Sequence, residues 1–394
     1  MIRGENIIIL SSADWDATLW TNKQHIASRL AECNRVLYIE SLGLRRPVPS
    51  SRDIRRIIRR LLRFFGVVQK PQRNVYVFSP VILPYYDSPA INRINHWLLM
   101  VYIKLLQQML RFSSPILWSY LPNGCFLCGK LGEKLTLYHC VDDISQFPGV
   151  SDRITEMERK FLSSADITIV TSSSLLDAKK RYSPRIYLMT NVADYHHFSR
   201  SREDLPLPDD MKSIPRPIAG FFGAMDDYKF DFSLVRYAAE RLPDVSFVLI
   251  GPVGLTDEGK GRTMLNLSNI YLLGKRDYSV LPSYLRLFDV CLIPFLVNNY
   301  TLSVFPMKLF EYLSSGKPVV ATSLPSLEGY QDLVYISRSS DEFVENIREA
   351  LVERLPDKSN KRIALAKANS WEVRLEEISK VIENALQERR MNYI

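Results

Sequence analysis

Residues 217–251 read P-I-A-G-F-F-G-A-M-D-D-Y-K-F-D-F-S-L-V-R-Y-A-A-E-R-L-P-D-V-S-F-V-L-I-G. The stretch opens with an apolar run at 218–222, takes up helical spacing over 234–241 and closes with a second apolar run at 247–250. Short runs that are apolar at consecutive positions, with a helix between them, read as strands of a parallel sheet covered on both faces.

The same alternation extends in both directions. Upstream, strands are predicted at 7–10, 36–39, 75–78, 116–120, 136–141, 167–170 and 186–189, with helical spacing at 23–31 and 152–162. Downstream they recur at 270–273, 290–293, 319–321 and 334–336. Two series imply two sheets, so the fold class is α/β with two doubly wound, Rossmann-like domains. Between the series, residues 199–217 hold four prolines and little periodicity, which is linker composition. The predicted organisation is a first domain at 1–198, a linker at 199–216, a second domain at 217–370 and a final amphipathic helix within 371–394.

Length agrees, since 394 residues suit two domains at about 150 residues each. Hydrophobic residues at 46% and charged residues at 24% exclude a disordered, collagenous or disulfide-scaffold chain. The formal net charge of +8 is concentrated in one place. From Arg45 to Arg73 there are ten Lys or Arg and one acid, Asp53, so the rest of the chain is nearly neutral. Five cysteines without a regular framework suit a reducing compartment. The four-residue apolar stretch after Asn6 is too short for a signal peptide, and the run at 97–103 is far shorter than the ~18 residues of a spanning helix. A soluble cytoplasmic protein is expected.

The chemistry concentrates in residues 301–323, T-L-S-V-F-P-M-K-L-F-E-Y-L-S-S-G-K-P-V-V-A-T-S. Pro306 suits a first helical turn, while Gly316 and Pro318 stop the helix. Lys308 and Glu311 share a face three residues apart. Such a helix start offers amide N–H groups and a cation to a diphosphate, with a carboxylate placed for two ribose hydroxyls. Spacing alone leaves open a surface helix in which the two side chains form an ion pair.

The segment P-M-K-L-F-E-Y-L-S-S-G-K-P-V-V-A-T resembles the donor-site motif of GT-B glycosyltransferases of the group 1, family 4-like set, in particular bacterial polysaccharide enzymes of the teichuronic-acid and xanthan-glucuronosyltransferase kind. The resemblance extends over nearly the whole chain. G-F-F-G-A-M-D-D-Y-K-F-D from Gly220 is similar to the first strand and phosphate-side loop of the family's second domain, and D-V-S-F-V-L-I-G-P-V from Asp244 to its next strand. N-I-Y-L-L-G-K-R-D-Y-S-V-L-P-S-Y-L from Asn269, which contains Gly274, resembles the segment that cradles the base. M-T-N-V-A-D-Y-H-H-F from Met189 is similar to the interdomain stretch, with Val192 where glycine is common. S-W-E-V-R from Ser370 resembles the start of a final helix that crosses back to the first domain.

The resemblance implies roles. Glu311 would hold the donor ribose, Met307 and Lys308 would contact the nucleotide and its phosphates, Lys229 would be the basic residue of the second domain, and Gly223 would let the backbone approach the phosphates. Ser303 stands where the family's first glutamate lies, eight residues before Glu311, and this departure leans towards inversion. The implied fold is GT-B, with a nucleotide-sugar donor as substrate, a saccharide or lipid-linked acceptor, and neither cofactor nor metal.

Glycosyl transfer also needs a base for the acceptor hydroxyl. Y-H-C-V-D-D at 138–143 ends a predicted strand, and ligands gather at strand C-termini in α/β sheets. Asp142, Asp143 and Phe147 resemble the family's D-D-x-x-x-F. Asp143 is the first candidate base, Asp142 the second, and His139 a helper; capping of the next helix remains open for the aspartates. Asp14 and Trp15, after the first strand, are further candidates. A donor held by the second domain and an acceptor by the first is the expected division of labour, and closure would exclude water.

Other signals are read more plainly. G-L-T-D-E-G-K-G at 254–261 lacks the Ser or Thr of a P-loop. Cys125 and Cys128 lack a second zinc-spaced pair. His196 and His197 read as linker packing. At 54–65, Ile54, Ile57, Ile58, Leu61, Leu62 and Phe65 keep helical spacing, while Arg52, Arg55, Arg56, Arg59, Arg60 and Arg63 fill the opposite face. That pattern fits an interfacial helix on anionic lipid, on the inner face of the plasma membrane; a solvated helix is the alternative, and no nucleic-acid partner is expected. The function expected is a glycosyltransferase of surface polysaccharide or lipopolysaccharide assembly, the alternatives being a nucleotide-sugar epimerase or an inactive nucleotide-sugar or membrane-binding scaffold.

Overall fold

The computed structural model describes residues 1–17, 20–40, 68–80, 88–144, 152–254, 261 and 263–391. The chain forms two compact units, Met1–Thr190 with Arg374–Ile394, and Asn191–Val373. The run of arginines from Arg52 to Arg63, Phe147 and residues 255–260 lie outside the described residues.

The first unit is built on β1 (Asn6–Leu10), β2 (Arg35–Ile39), β3 (Gln69–Gln72), β4 (Val75–Phe78), β5 (Ile116–Ser119), β6 (Leu135–Cys140), β7 (Ile167–Val170) and β8 (Ile186–Leu188), in the order β3-β4-β2-β1-β5-β6-β7-β8. All pairs are parallel except β3 with β4. Ile8 pairs with Leu37 on one side and Leu117 on the other, so β1 and β5 flank the point where strand order reverses. Helices α1 (Asn22–Leu30), α2 (Pro89–Leu110), α3 (Asp152–Ser164) and α4 (Ser173–Lys179) accompany the sheet. The start of α2 has two local causes: Pro89 fits the first helical position, and Ser88 Oγ accepts from the Ile91 N–H.

The second unit contains β9 (Ile218–Phe222), β10 (Ser246–Ile250), β11 (Ile270–Gly274), β12 (Val290–Ile293), β13 (Val319–Thr322) and β14 (Tyr335–Ser337), ordered β11-β10-β9-β12-β13-β14. Every pair is parallel, and strand order reverses between β9 and β12, as in doubly wound nucleotide-binding sheets. Its helices are α5 (Tyr195–Ser199), α6 (Phe232–Arg241), α7 (Leu281–Leu287), α8 (Lys308–Leu313), α9 (Ser340–Val352) and α10 (Pro356–Ala368). Asp231 Oδ1 caps α6 by accepting from the Leu234 N–H at 2.9 Å. One apolar core fills this unit, from Phe221 and Val248 to Leu309 and Val320.

The last helix, α11 (Trp371–Met391), packs on the first unit from Arg374 onward. Leu375, Ile378, Ile382 and Ala385 are buried, Ser379 Oγ accepts from the Ile2 N–H at 3.0 Å, and Arg389 donates to the Lys134 carbonyl at 2.7 Å.

The two parallel sheets agree with the sequence reading, with three differences. β3, Q-K-P-Q, had no strand signal: it is polar, contains proline, and takes an antiparallel edge position where both are tolerated. Residues 199–216 belong to the second unit and hold fixed structure, because Asp210 accepts from Arg276 and Tyr284, and Asp204 pairs with Arg286. The helix foreseen from Pro306 begins two residues later and is only six residues long.

Candidate active site

Glycines line the C-terminal edge of the second sheet. Gly223 follows β9 at φ 149°, Gly251 follows β10 at φ 139°, and Gly274 ends β11 at φ 67°. A Cβ on Gly251 would meet the Gly223 carbonyl oxygen at 1.9 Å, and one on Gly223 would meet Lys308 Cε at 3.1 Å. The strand ends are stitched together, with the Gly223 N–H donating to the Ile250 carbonyl and the Gly251 N–H to that of Gly274, both at 2.8 Å. Absent side chains leave this edge with backbone that a ligand can approach, beside the point of strand reversal.

Lys308 and Glu311 lie against that edge. Lys308 Nζ is 2.5 Å from Glu311 Oε2 and 4.8 Å from the centre of the Phe222 ring. The ion pair left open by the spacing is therefore formed, yet not on a solvated face: the Glu311 side chain is 6% exposed. A carboxylate so buried depends on its partner. α8 has only six residues, and the cation beside Gly223 is Lys308.

Lys229 and Ser303 are held in two loops that zip together beyond β9 and β12. The Leu296 N–H donates to the Lys229 carbonyl at 2.8 Å, Asn298 Nδ2 donates to that of Tyr228 at 2.8 Å, and the Asn298 carboxamide oxygen accepts from the Tyr300 and Thr301 N–H groups. Lys229 Nζ stands 4.5 Å from the centre of the Phe295 ring, Ser303 closes the turn at Thr301–Ser303, and Met307 is the residue from which α8 starts.

His197, assigned to linker packing from sequence, has a more specific position. Its ring stacks on Tyr278 at 4.3 Å, and Nε2 lies 2.8 Å from the Tyr278 carbonyl. A carbonyl only accepts, so Nε2 carries the proton and Nδ1 keeps its lone pair. Burial lowers the His197 pKa, against the Tyr278 carbonyl and the Asp194 and Glu311 carboxylates. The ring belongs to the surroundings of Glu311, and only the long-range contact with Tyr278 reveals it.

In the first unit the paired aspartates after β6 are divided between two lysines. Asp143 Oδ1 lies 3.8 Å from Lys179 Nζ, which bonds to Glu158 Oε2 at 2.8 Å. Glu158 also accepts from the Tyr138 hydroxyl at 2.7 Å. Burial lowers the Lys179 pKa, but the neighbouring Cys140, Glu158 and Asp143 outweigh it and keep the amine cationic. Asp142 instead acts electrostatically on Lys23, whose own pKa is lowered by burial.

His139 is buried, with its ring 4.9 Å from that of Tyr120 and no hydrogen-bond partner at Nδ1. Burial, then Lys23 and Arg374, push its pKa down to about 3. The imidazole is neutral at physiological pH, and so low a pKa makes it a weak proton acceptor. Trp15 is tied through its backbone N–H to Glu40 Oε1 at 2.7 Å, and the Asp14 backbone carbonyl accepts from Gln24 Nε2. Cys125 and Cys128 are free thiols, and burial pushes Cys128 up to about 12, which makes it a poor nucleophile. Among the described residues no cluster of three or more His, Cys, Asp or Glu side chains could hold a metal ion, and no helix is long and apolar enough to cross a membrane.

Residues 216–353 match the family described as glycosyl transferases group 1. They form a group 1 glycosyl transferase domain. The group 1 domain contains Gly223, Lys229, Gly274, Ser303, Met307, Lys308 and Glu311, whereas His197 and the aspartates lie outside it. TuaH of Bacillus subtilis (strain 168), named as a glycosyltransferase of teichuronic acid biosynthesis, is 28% identical over 228 residues, covering 55% of this chain and 57% of TuaH. The chain thus spans a little over half the length of that curated relative.

Solved structures extend the likeness beyond the group 1 domain. Sucrose-phosphate synthase from Thermosynechococcus elongatus aligns over 98% of this chain and 100% of its own, with a TM-score of 0.69 and 14% identity. Anabaena Alr3699/HepE, in complex with UDP and glucose, aligns over 96% and 99%, with a TM-score of 0.65 and 14% identity. The fold on which the group 1 domain sits is GT-B.

Proposed function

We propose that the chain is a glycosyltransferase that moves a sugar from a nucleoside diphosphate sugar to a saccharide acceptor, lipid-linked in our reading, in surface polysaccharide or lipopolysaccharide assembly. The observation that carries this reading is the Lys308–Glu311 pair lying against Gly223 at the end of β9, inside the group 1 domain. The UDP and UDP-glucose complexes of HepE support a nucleotide-sugar donor. On binding, the diphosphate would take Lys308 as its counter-ion, with Lys229 as a second cation, and Glu311 would turn from its lysine to the ribose hydroxyls. The nucleotide sugar is a substrate, so the reading calls for no cofactor, and the lysines supply the charge that a metal supplies elsewhere.

The reaction breaks the bond between anomeric carbon and phosphate oxygen, whose electron pair leaves with the nucleoside diphosphate. The acceptor oxygen forms the new bond to the anomeric carbon and loses its proton to Asp143, which faces Lys179, itself held by Glu158. Asp142 is the alternative base and His139 orients. The arginines at 52–63 would keep the enzyme against anionic lipid on the inner face of the plasma membrane, where a lipid-linked acceptor resides.

The test is nucleotide binding and turnover in three variants. Lys308→Ala should weaken nucleoside diphosphate binding by roughly 10- to 100-fold, the worth of one charge-assisted contact. Glu311→Gln should lower affinity less, and Asp143→Asn should retain binding and lose transfer. Unchanged binding in Lys308→Ala would remove the phosphate role, and undiminished transfer in Asp143→Asn would move the base elsewhere. Conversion of donor without acceptor would indicate an epimerase, and binding without turnover a scaffold.

A further inference from the structure

Helix α2 is apolar on two opposite faces. Leu99, Ile103 and Leu106 are buried in the core of the first unit, beside Ile8, Leu37 and Phe78. On the other side Ile94, Trp97, Leu105 and Met109 are 48%, 57%, 49% and 67% exposed. With Val101, their spacing of three and four residues places them in one stripe about 22 Å long. An apolar stripe on the side away from the core, interrupted only by Gln108, marks a contact surface.

Its charge indicates the partner. The 22 residues of α2 contain no Asp or Glu. Arg93 and Lys104 are exposed, on the helix face that borders the stripe, and exposed Arg111 follows the helix. A second copy docked stripe to stripe would set bases against bases. A surface that is apolar within and anionic at its headgroups matches both the stripe and its rim, and an exposed tryptophan suits that boundary. We propose that the outer face of α2 lies in an anionic lipid surface, with Ile94, Trp97, Leu105 and Met109 among the acyl chains and Arg93 and Lys104 at the headgroups. This deepens the membrane part of the function proposed above by adding an apolar anchor, and the binding itself requires no catalytic activity. Two signals together, apolar insertion and basic attraction, are what reversible attachment needs.

The full chain is mixed with vesicles of phosphatidylglycerol and phosphatidylcholine in equal parts, or of phosphatidylcholine alone, and followed by sedimentation and by tryptophan emission. The emission lost on Trp97→Phe should shift to the blue with the anionic vesicles. Leu105→Ser combined with Met109→Ser should lower the partition coefficient about tenfold or more, at a salt concentration that screens the arginines, while nucleoside diphosphate binding stays at the wild-type level. Equal partition of the double variant and the wild type, or an unshifted Trp97, would overturn the proposal. So would a concentration-dependent dimer that the double variant abolishes without any vesicle binding, since the face would then belong to a second copy. Nucleotide affinity is read separately, so loss of the lipid result leaves the glycosyltransferase reading intact, and the converse also holds.

Discussion

Among single residues, His139 makes stability depend on pH. Its folded pKa of about 3 lies below the ordinary histidine value of 6.5, because burial and two nearby cations disfavour the charged ring. Between those values the unfolded chain binds more protons than the folded one, so stability rises with pH across that window. The contribution is complete above about pH 6.5 and is lost as pH falls towards 3. His96, pushed to about 4 by burial and by Arg153 and Lys130, acts in the same direction. Replacing His139 with Phe should therefore flatten the acid side of the stability profile, retaining about 2–3 kcal/mol between pH 7 and pH 4.5 that the wild type loses. Urea unfolding at the two pH values measures it, and parallel losses in the two proteins would show that His139 is not held neutral. Residue roles were unevenly legible in the sequence. Lys308 and Glu311 stand out because their spacing is local. His197 does not, because its place beside Tyr278 joins residues far apart in the chain.

At the scale of elements, the strand ends of the second sheet are fixed by close approach more than by composition. Gly251→Ala would drive a methyl group into the Gly223 carbonyl at a positive φ, whereas Gly274→Ala meets no atom within 4 Å and carries only the cost of its φ of 67°. The first should destabilise the second unit by about 3 kcal/mol or more and the second by about 1 kcal/mol. Thermal unfolding of the two variants gives the order, and equal losses would mean that backbone conformation alone matters. The strands themselves were easy to read, since all thirteen predicted runs coincide with observed strands to within one residue at either end, and those at 75–78, 167–170 and 290–293 coincide in full. Buried parallel strands leave continuous apolar runs, and that signal is local. β3 leaves none, because an edge strand of Gln, Lys and Pro is paired only by its neighbour β4. Residues 199–216 resemble a linker for the same reason, as their order derives from Arg276, Tyr284 and Arg286, which lie 66 to 82 positions away.

For the whole molecule, chain order and structural units do not coincide. The first unit is closed by residues that follow the second, and no hydrophobic period discloses the destination of α11, which only its resemblance to a crossing-back helix indicates. Ending the chain after Val373 tests how far the first unit depends on this return. The truncation removes Leu375, Ile378, Ile382 and Ala385 from the packed surface, together with the bond from Ser379 to Ile2 and the contacts of Arg389 with Lys134 and Asp166. At roughly 1.5–3 kcal/mol for each large buried side chain, the loss is about 5 kcal/mol or more, comparable with the whole stability of a domain. The second unit keeps its own core from Phe221 to Val320 and every donor-site residue. Hydrogen exchange of the truncated protein should therefore show β1, β5 and β6 unprotected, while β9, β10 and β12 remain protected and nucleoside diphosphate still raises their unfolding temperature. Full protection of β1 and β5 would show that the first unit folds without the returning helix, and that α11 serves the connection between units instead of the stability of either.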